Sequence, residues 1–242
     1  MFDGMSHSAP CALTKIRVTK RSMTRFTVQS FLTLLLLSCT TDSYDKGEGK
    51  YSLMQADFCE LTVDGQKQAL TFTTDDGDTY QFTTPFTAKW IETADTTYRS
   101  VIYYNKVSTT QAEAVSVGTV VTVNPIEHWR YKEQPQDPIG LESAWMAKSG
   151  KYLNVGLLMK TGRISDEELP HNIGLAQDTV YTYPDGRCAA SYRFLHSQNG
   201  IPQYYTNRRY VSILLPTVKP DTIHLSIQTY DGIVHKTFIV KK

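Results

Sequence analysis

Beyond Lys50, apolar residues alternate with polar ones instead of recurring every three or four positions, and β-branched and aromatic side chains fill most of the apolar places. That is the period of an extended chain, whose successive side chains leave opposite faces, so the body is predicted to be almost entirely β. From Ser100 to Val107, Val101, Tyr103 and Asn105 fall on one face while Ile102, Tyr104 and Lys106 fall on the other. Asp76-Gly77 lies between Leu70-Thr71-Phe72-Thr73 and Thr79-Tyr80-Gln81-Phe82 and marks a hairpin, because glycine accepts the positive φ of a tight turn. Asp64-Gly65, Asp185-Gly186, Asn199-Gly200 and Asp231-Gly232 repeat the signal, at a spacing that suits a barrel or sandwich rather than βαβ units. Helix is predicted only in two short pieces, Thr110 to Val115 and Asp166 to Leu169.

The pattern breaks between Pro125 and Pro138. There Pro125, Pro135 and Pro138 interrupt a charged run of Glu127, Arg130, Lys132 and Glu133, and proline removes a donor from any ladder. The expected organisation is therefore all-β, with a small OB-like barrel over 50–125, a linker over 126–138 and an antiparallel β-sandwich over 139–242. About five strands suit the first domain and about seven the second.

Ahead of the body the pattern is of another kind. The twelve residues from Phe26 to Leu37 end in four leucines, follow Arg25 and a basic cluster, and precede the small Ser38. This is the order of a secretory signal, and it is short of the roughly 20 residues that a membrane-spanning helix needs. Leu36-Leu37-Ser38-Cys39 resembles a bacterial lipobox, which makes 1–38 a lipoprotein signal peptide and Cys39 the lipidated residue. Two or more acyl chains exceed what stable anchoring requires. Met23-Thr24-Arg25 would form a compact start to such a signal, so translation is expected to begin at Met23. Residues 39–49 are polar and carry glycine, and read as a tether reaching at most about 35 Å.

Composition changes this picture mainly through charge. The 242 residues sum to +1, but 1–38 hold five basic residues (Lys15, Arg17, Lys20, Arg21, Arg25) against Asp3, leaving 20 basic and 23 acidic residues for the remainder. An exported body with a net charge of −3 is a poor match for nucleic acid, whose binding needs clustered positive charge. With 40% hydrophobic and 20% charged residues the chain is neither disordered nor a multispanning membrane protein.

Candidate chemistry is sparse. The sequence contains no His-Glu-x-x-His, Gly-x-Ser-x-Gly, Gly-x-x-x-x-Gly-Lys or Cys-x-x-Cys pattern, and its six histidines lack metal-ligand spacing. Asp75-Asp76-Gly77-Asp78 lacks the closing Glu of a calcium loop and reads as a turn, while Asp166-Glu167-Glu168 reads as a solvated face. No metal, no cofactor and no catalytic residue is expected. Cys59 and Cys188 form an even pair in an oxidising compartment, so they are either bridged or two separately buried thiols. Tyr183, Tyr192, Tyr204, Tyr205 and Tyr210, beside Arg208 and Arg209, are the candidate ligand-binding aromatics, although tyrosine is also an ordinary strand residue.

Taken in order, the lipobox, the Asp-Gly-Asp hairpin, Asp137-Pro138-Ile139, Ser143-Ala144-Trp145 and Lys151-Tyr152-Leu153-Asn154-Val155 resemble the NigD-like lipoproteins of Bacteroidetes. Tyr192-Arg193-Phe194-Leu195-His196, Pro202-Gln203-Tyr204-Tyr205 and Ser226-Ile227-Gln228-Thr229-Tyr230-Asp231-Gly232 fit the same family, so the resemblance covers 34–242. It implies an N-terminal OB-like domain and a C-terminal β-sandwich, and its founding member is linked to a bacteriocin operon with a proposed immunity role. The expected function is a lipid-anchored, non-enzymatic binding protein of the cell envelope, at the outer membrane, serving bacteriocin immunity or capture of a secreted peptide or protein. The competing expectation is a glycan-binding accessory lipoprotein using exposed aromatics. A third, an enzyme, would require clustered histidines or carboxylates in a concave pocket.

Overall fold

The computed structural model describes residues 52–163 and 170–240. Met23, the leader, Cys39, the tether and the helix expected over Asp166 to Leu169 lie outside the described residues.

Five strands, β1 (Gln55–Val63), β2 (Ala69–Thr74), β3 (Thr79–Phe86), β4 (Thr96–Lys106) and β5 (Gln111–Thr119), close a barrel in the order β1-β2-β3-β5-β4. Closure comes from two contacts: β4 returns antiparallel along all of β1, and β3 meets β5 in a short parallel pairing at Gln81 and Phe82. This is the OB-like barrel expected from the pattern. Alternation fills its interior with Leu61, Phe72, Tyr80, Phe82, Ile102, Tyr104 and Ala112 and turns Val101 and Tyr103 outward. The helix expected over Thr110 to Val115 is instead strand β5. Ala112 is buried in the core and Ala114 packs against it, and pairing with β4 outweighs a local propensity that was never strong.

The hairpin between β2 and β3 turns at Gly77, whose φ of 96° favours glycine. At Asp64-Gly65 the left-handed residue is not the glycine but Lys67, with φ 60°. Asp64 makes that possible by accepting hydrogen bonds from the amides of Gln66 and Gln68 on one carboxylate oxygen.

The remaining strands are β6 (Val121–Val123), β7 (Ile126–Glu127), β8 (Gly140–Met146), β9 (Tyr152–Thr161), β10 (Asn172–Thr182), β11 (Cys188–Ser197), β12 (Tyr205–Leu214), β13 (Thr222–Thr229) and β14 (Gly232–Ile239). They build a sheet of five, β14-β13-β11-β10-β7, and a sheet of four, β6-β12-β9-β8. The inner faces meet in one core holding Leu153, Val155, Leu157, Val211 and Ile213 from one sheet and Leu175, Phe194, Ile223, Leu225 and Ile227 from the other. Three pairings in this sandwich are parallel: β6 with β12, β7 with β10 and β11 with β13. The last arises because β12 lies in the opposite sheet, so the chain returns to β11 already running in the same direction.

The proline-bearing segment expected as a linker is built into the sandwich. Val121–Val123, expected inside the barrel domain of 50–125, and Ile126–Glu127, expected in the linker, are the two sandwich strands beyond the seven anticipated. Farther along, Pro135 accepts the amide of His196 at 3.0 Å and Asp137 donates to the His196 carbonyl at 2.9 Å, so the chain runs beside the end of β11. Proline loses only its donor; its carbonyl still joins a ladder. Barrel and sandwich belong to one compact unit from Leu53 to Lys242.

Strand β9 is buried on both faces over Tyr152–Leu157. Leu153, Val155 and Leu157 enter the sandwich core, while Asn154 and its even-numbered neighbours turn the other way, toward the barrel. Gly156 leaves room there: a Cβ would lie 2.6 Å from Ser143 Oγ and 3.3 Å from the Tyr210 ring, so both side chains would have to give way.

Candidate functional site

Barrel and sandwich are joined by a buried polar staple. Arg99 on β4 places its two terminal nitrogens 2.6 and 2.7 Å from the carboxylate oxygens of Asp75, beyond the end of β2. The same guanidinium crosses to the sandwich, donating to Ser212 Oγ at 3.0 Å and to Asn154 Oδ1 at 3.0 Å. Asn154 closes the ring by donating to Asp75 at 2.9 Å, and Ser212 donates to Asn154 at 2.7 Å. The Arg99 side chain is only 3% exposed, and its guanidinium carbon stands 4.0 Å from the centre of the Tyr152 ring. Beside it the Tyr152 hydroxyl donates to Glu60 at 2.6 Å, and Lys151 pairs with the same carboxylate. Burial pushes the Glu60 carboxyl upward, but the hydrogen bonds from Lys151 and Tyr152 outweigh it and hold it below its ordinary value.

Next to the staple an open groove follows the junction. One part, about 400 Å³, is lined by Phe58, Asp75, Asp76, Tyr103, Trp145 and Tyr210 among others. The other, about 630 Å³, runs past Val120, Val121, Met159, His171 and Asn207 to Val211. Val101 and Tyr210 line both, so the two parts adjoin. At their meeting point Phe58 packs edge-on against Trp145 at 5.5 Å and against Tyr210 at 5.2 Å. Such pairs contribute about 0.5–1.5 kcal/mol beyond the area they bury, so this is a rigid aromatic wall. Arg208 pairs with Glu142 across the sheet, whereas Arg209 is exposed and has no ion-pair partner among the described residues.

His171 stands in the same wall. His196 Nδ1 is 3.0 Å from the Asp137 carbonyl, which can only accept, so that nitrogen carries the proton. Its Nε2 lies 3.0 Å from His171 Nδ1, and in the neutral pair it accepts from that ring. His171 Nε2 is then a bare acceptor, and it is buried without a partner. Burial first, and then the neighbouring His196, hold His171 below the usual histidine range, which favours this neutral form.

The predicted aromatics do not form one platform. Tyr192 is 1% exposed inside the sandwich core and cannot meet a ligand; burial, and then the charge of Cys188, push its hydroxyl up to about 12. Tyr204 and Tyr205 are exposed at the start of β12, and Tyr183 is exposed at the distant β10–β11 turn, packed against Tyr181 at 4.8 Å. Of the five, Tyr210 alone lines the groove. Among the described residues no three His, Cys, Asp or Glu side chains converge as metal ligands, and no helix is long and apolar enough to cross a membrane.

The disulfide weighed from the sequence is not formed. Cys59 is a free thiol in the barrel core and Cys188 a free, half-buried one at the start of β11. Burial is the main reason the Cys59 thiol is pushed up to about 12, and alkylation requires the thiolate. Iodoacetamide at pH 8 is therefore expected to label Cys188 and spare Cys59 until the protein is unfolded, read by peptide mass spectrometry. Equal labelling of both in the native protein would contradict this placement.

No family model and no curated protein matches the sequence. Solved structures do match. A NigD-like immunity protein from Bacteroides caccae superposes with a TM-score of 0.60 at 20% identity, covering 77% of this chain and 98% of that one. The chain has the NigD-like fold. A candidate toxin-related protein from Parabacteroides distasonis gives 0.59 at 16% identity over 76% and 92% of the two chains. A candidate lipoprotein from Bacteroides fragilis gives 0.56 at 11% over 78% and 98%.

Within this NigD-like fold, Tyr210, Arg208 and Arg209 were legible in the sequence as candidates, but Phe58, Trp145 and His171 were not legible as their neighbours in one groove. Phe58 and Trp145 are 87 positions apart and come from the barrel and the sandwich, so no local spacing could have joined them. The Arg99–Asp75 staple was hidden for the same reason, since Asp75 read only as a turn residue.

Proposed function

We propose that the protein is a lipid-anchored, non-enzymatic binding protein of the cell envelope that captures a secreted peptide and thereby confers bacteriocin immunity. The observation that carries this reading is the groove beside the junction, with its aromatic wall of Phe58, Trp145 and Tyr210 and with Arg208 and Arg209 along its longer part. A mixed apolar and cationic cleft offers side-chain pockets and charge to an extended ligand. Supporting it are the lipobox ending in Cys39, which would hold the domain at the outer membrane, and the description of the B. caccae protein of the same fold as an immunity protein. A strain lacking the gene is expected to become sensitive to a bacteriocin encoded beside it, and to regain resistance when the gene is restored. Unchanged sensitivity of the deletion strain would reject the immunity role.

A glycan-binding reading draws on Tyr204 and Tyr205, 76% and 50% exposed at the sandwich edge. Tyr204 lies in a bend and Tyr205 opens β12, and neither lines the groove.

A further inference from the structure

Strand β12 has a partner along its whole length on one side only. Against β9 it is paired from Tyr205 to Leu214, while β6 covers only Val211, Ser212 and Ile213 on the other side. The reason β6 stops is visible one residue earlier. The amide of Val120 donates to the Arg99 carbonyl at 2.9 Å, and Thr119 pairs with Ser100, so the chain has already turned into the barrel. Residues Tyr205–Tyr210 are left without a strand on that edge among the described residues. In such a strand every second residue directs both its N–H and its C=O away from the existing partner, leaving a template for another chain.

The longer part of the groove lies at this vacancy. It is lined by Asn207, Arg208, Arg209, Tyr210 and Val211 of β12 and by Val120 and Val121, the place where a backward extension of β6 would run. Its volume of about 630 Å³ is that of a ligand site rather than a packing gap. Charge selects the occupant. Arg209 is exposed and without an ion-pair partner among the described residues, and Arg208 beside it pairs with Glu142. His171 completes the wall.

We infer that Tyr205–Tyr210 takes an extended, acidic peptide segment as an added strand, in line with β6. Main-chain hydrogen bonds supply the affinity and Arg209 the preference for acidic side chains, as in other cases of strand addition. The inference rests on the peptide-capture reading and specifies its mode and its place.

The test uses the full chain and a blocked nonapeptide alternating valine and glutamate. Two controls accompany it: the same peptide with lysine for glutamate, and the glutamate peptide N-methylated at alternate residues. Titration calorimetry gives the affinity, and amide hydrogen exchange read by mass spectrometry gives the place. The glutamate peptide is expected to slow exchange over 205–210 and leave the sheet-edge strands β8 and β14 unchanged. It should bind roughly tenfold or more tighter than the lysine peptide, a gap of about 1.4 kcal/mol or more, and N-methylation should abolish binding. Arg209→Glu should invert the preference between the two peptides while leaving thermal unfolding in place. Protection at β14 or nowhere, indifference to N-methylation, or an unchanged preference in Arg209→Glu would each overturn the inference. So would protection of 205–210 that rises with protein concentration in the absence of peptide, since a second copy would then be the occupant. A deletion strain that is bacteriocin-sensitive, with no protection over 205–210, would overturn strand addition and leave capture standing. Protection over 205–210 with unchanged sensitivity would uphold the edge site and reject immunity.

Discussion

Replacing Arg99 by alanine is expected to destabilise the protein by about 3–5 kcal/mol, the cost of breaking a buried ion pair from one side. The magnitude follows from what is left behind. Asp75 would keep its charge with only Asn154 and solvent to answer it, and Ser212 and Asn154 would each lose a donor inside the junction. The packing of the guanidinium over Tyr152 would go as well. Because the staple spans barrel and sandwich, the loss should also lower cooperativity, with Trp145 fluorescence and far-ultraviolet dichroism reporting different midpoints in urea. Lysine at position 99 should rescue little, since an ammonium cannot match the two-pronged contact with Asp75. Replacing both partners, Arg99→Met with Asp75→Leu, should recover much of the loss, because an apolar pair leaves no orphaned charge. A cost of Arg99→Ala below about 1 kcal/mol would place the pair with exposed ones and refute the staple.

The second large effect is expected in the barrel. Phe72→Ala should cost about 3–5 kcal/mol, the usual range for emptying an aromatic site in a core. Phe72 is fully buried and touches three other rings, with centroids at 5.3 Å to Tyr80, 5.1 Å to Phe82 and 5.0 Å to Tyr104. Among the described residues the barrel core has eleven buried apolar residues against sixteen in the sandwich, so it has less remaining structure to absorb a void. Phe72→Leu, which keeps most of the volume, should lose far less. Urea unfolding of the two variants checks both values, and equal losses would mean that volume is not what Phe72 supplies.

The strands were legible where one face meets a core and the other meets water. β13 alternates, as does β4 from Ser100 to Tyr104, and the Gly77 turn announces the β2–β3 hairpin. Reading failed where a strand is too short to show a period, as in β6 and β7, or where closure of a ring supplies the partner, as in β5. The same limit applies to the site. Tyr192 and Tyr210 look alike in sequence, both lying in Tyr- and Arg-bearing strands. One fills the sandwich core and the other lines the groove, because Tyr192 shares the inner face of β11 with Phe194, whereas Tyr210 lies on the face of β12 opposite to the core residues Val211 and Ile213.

What the sequence determined by itself is what has a short period or a local signal: the β class, the barrel strands with alternating faces and the tight turns. Each depends on residues within a few positions of one another. What only the tertiary structure decided is which distant residues meet. Arg99 finds Ser212 across 113 positions, and β12 is left half-paired because Val120 bonds back to Arg99 and carries β6 away. Hydrophobic burial acts on faces and is written in periodicity. Polar staples and open edges depend on how closed sheets dock, and no stretch of chain carries that geometry alone.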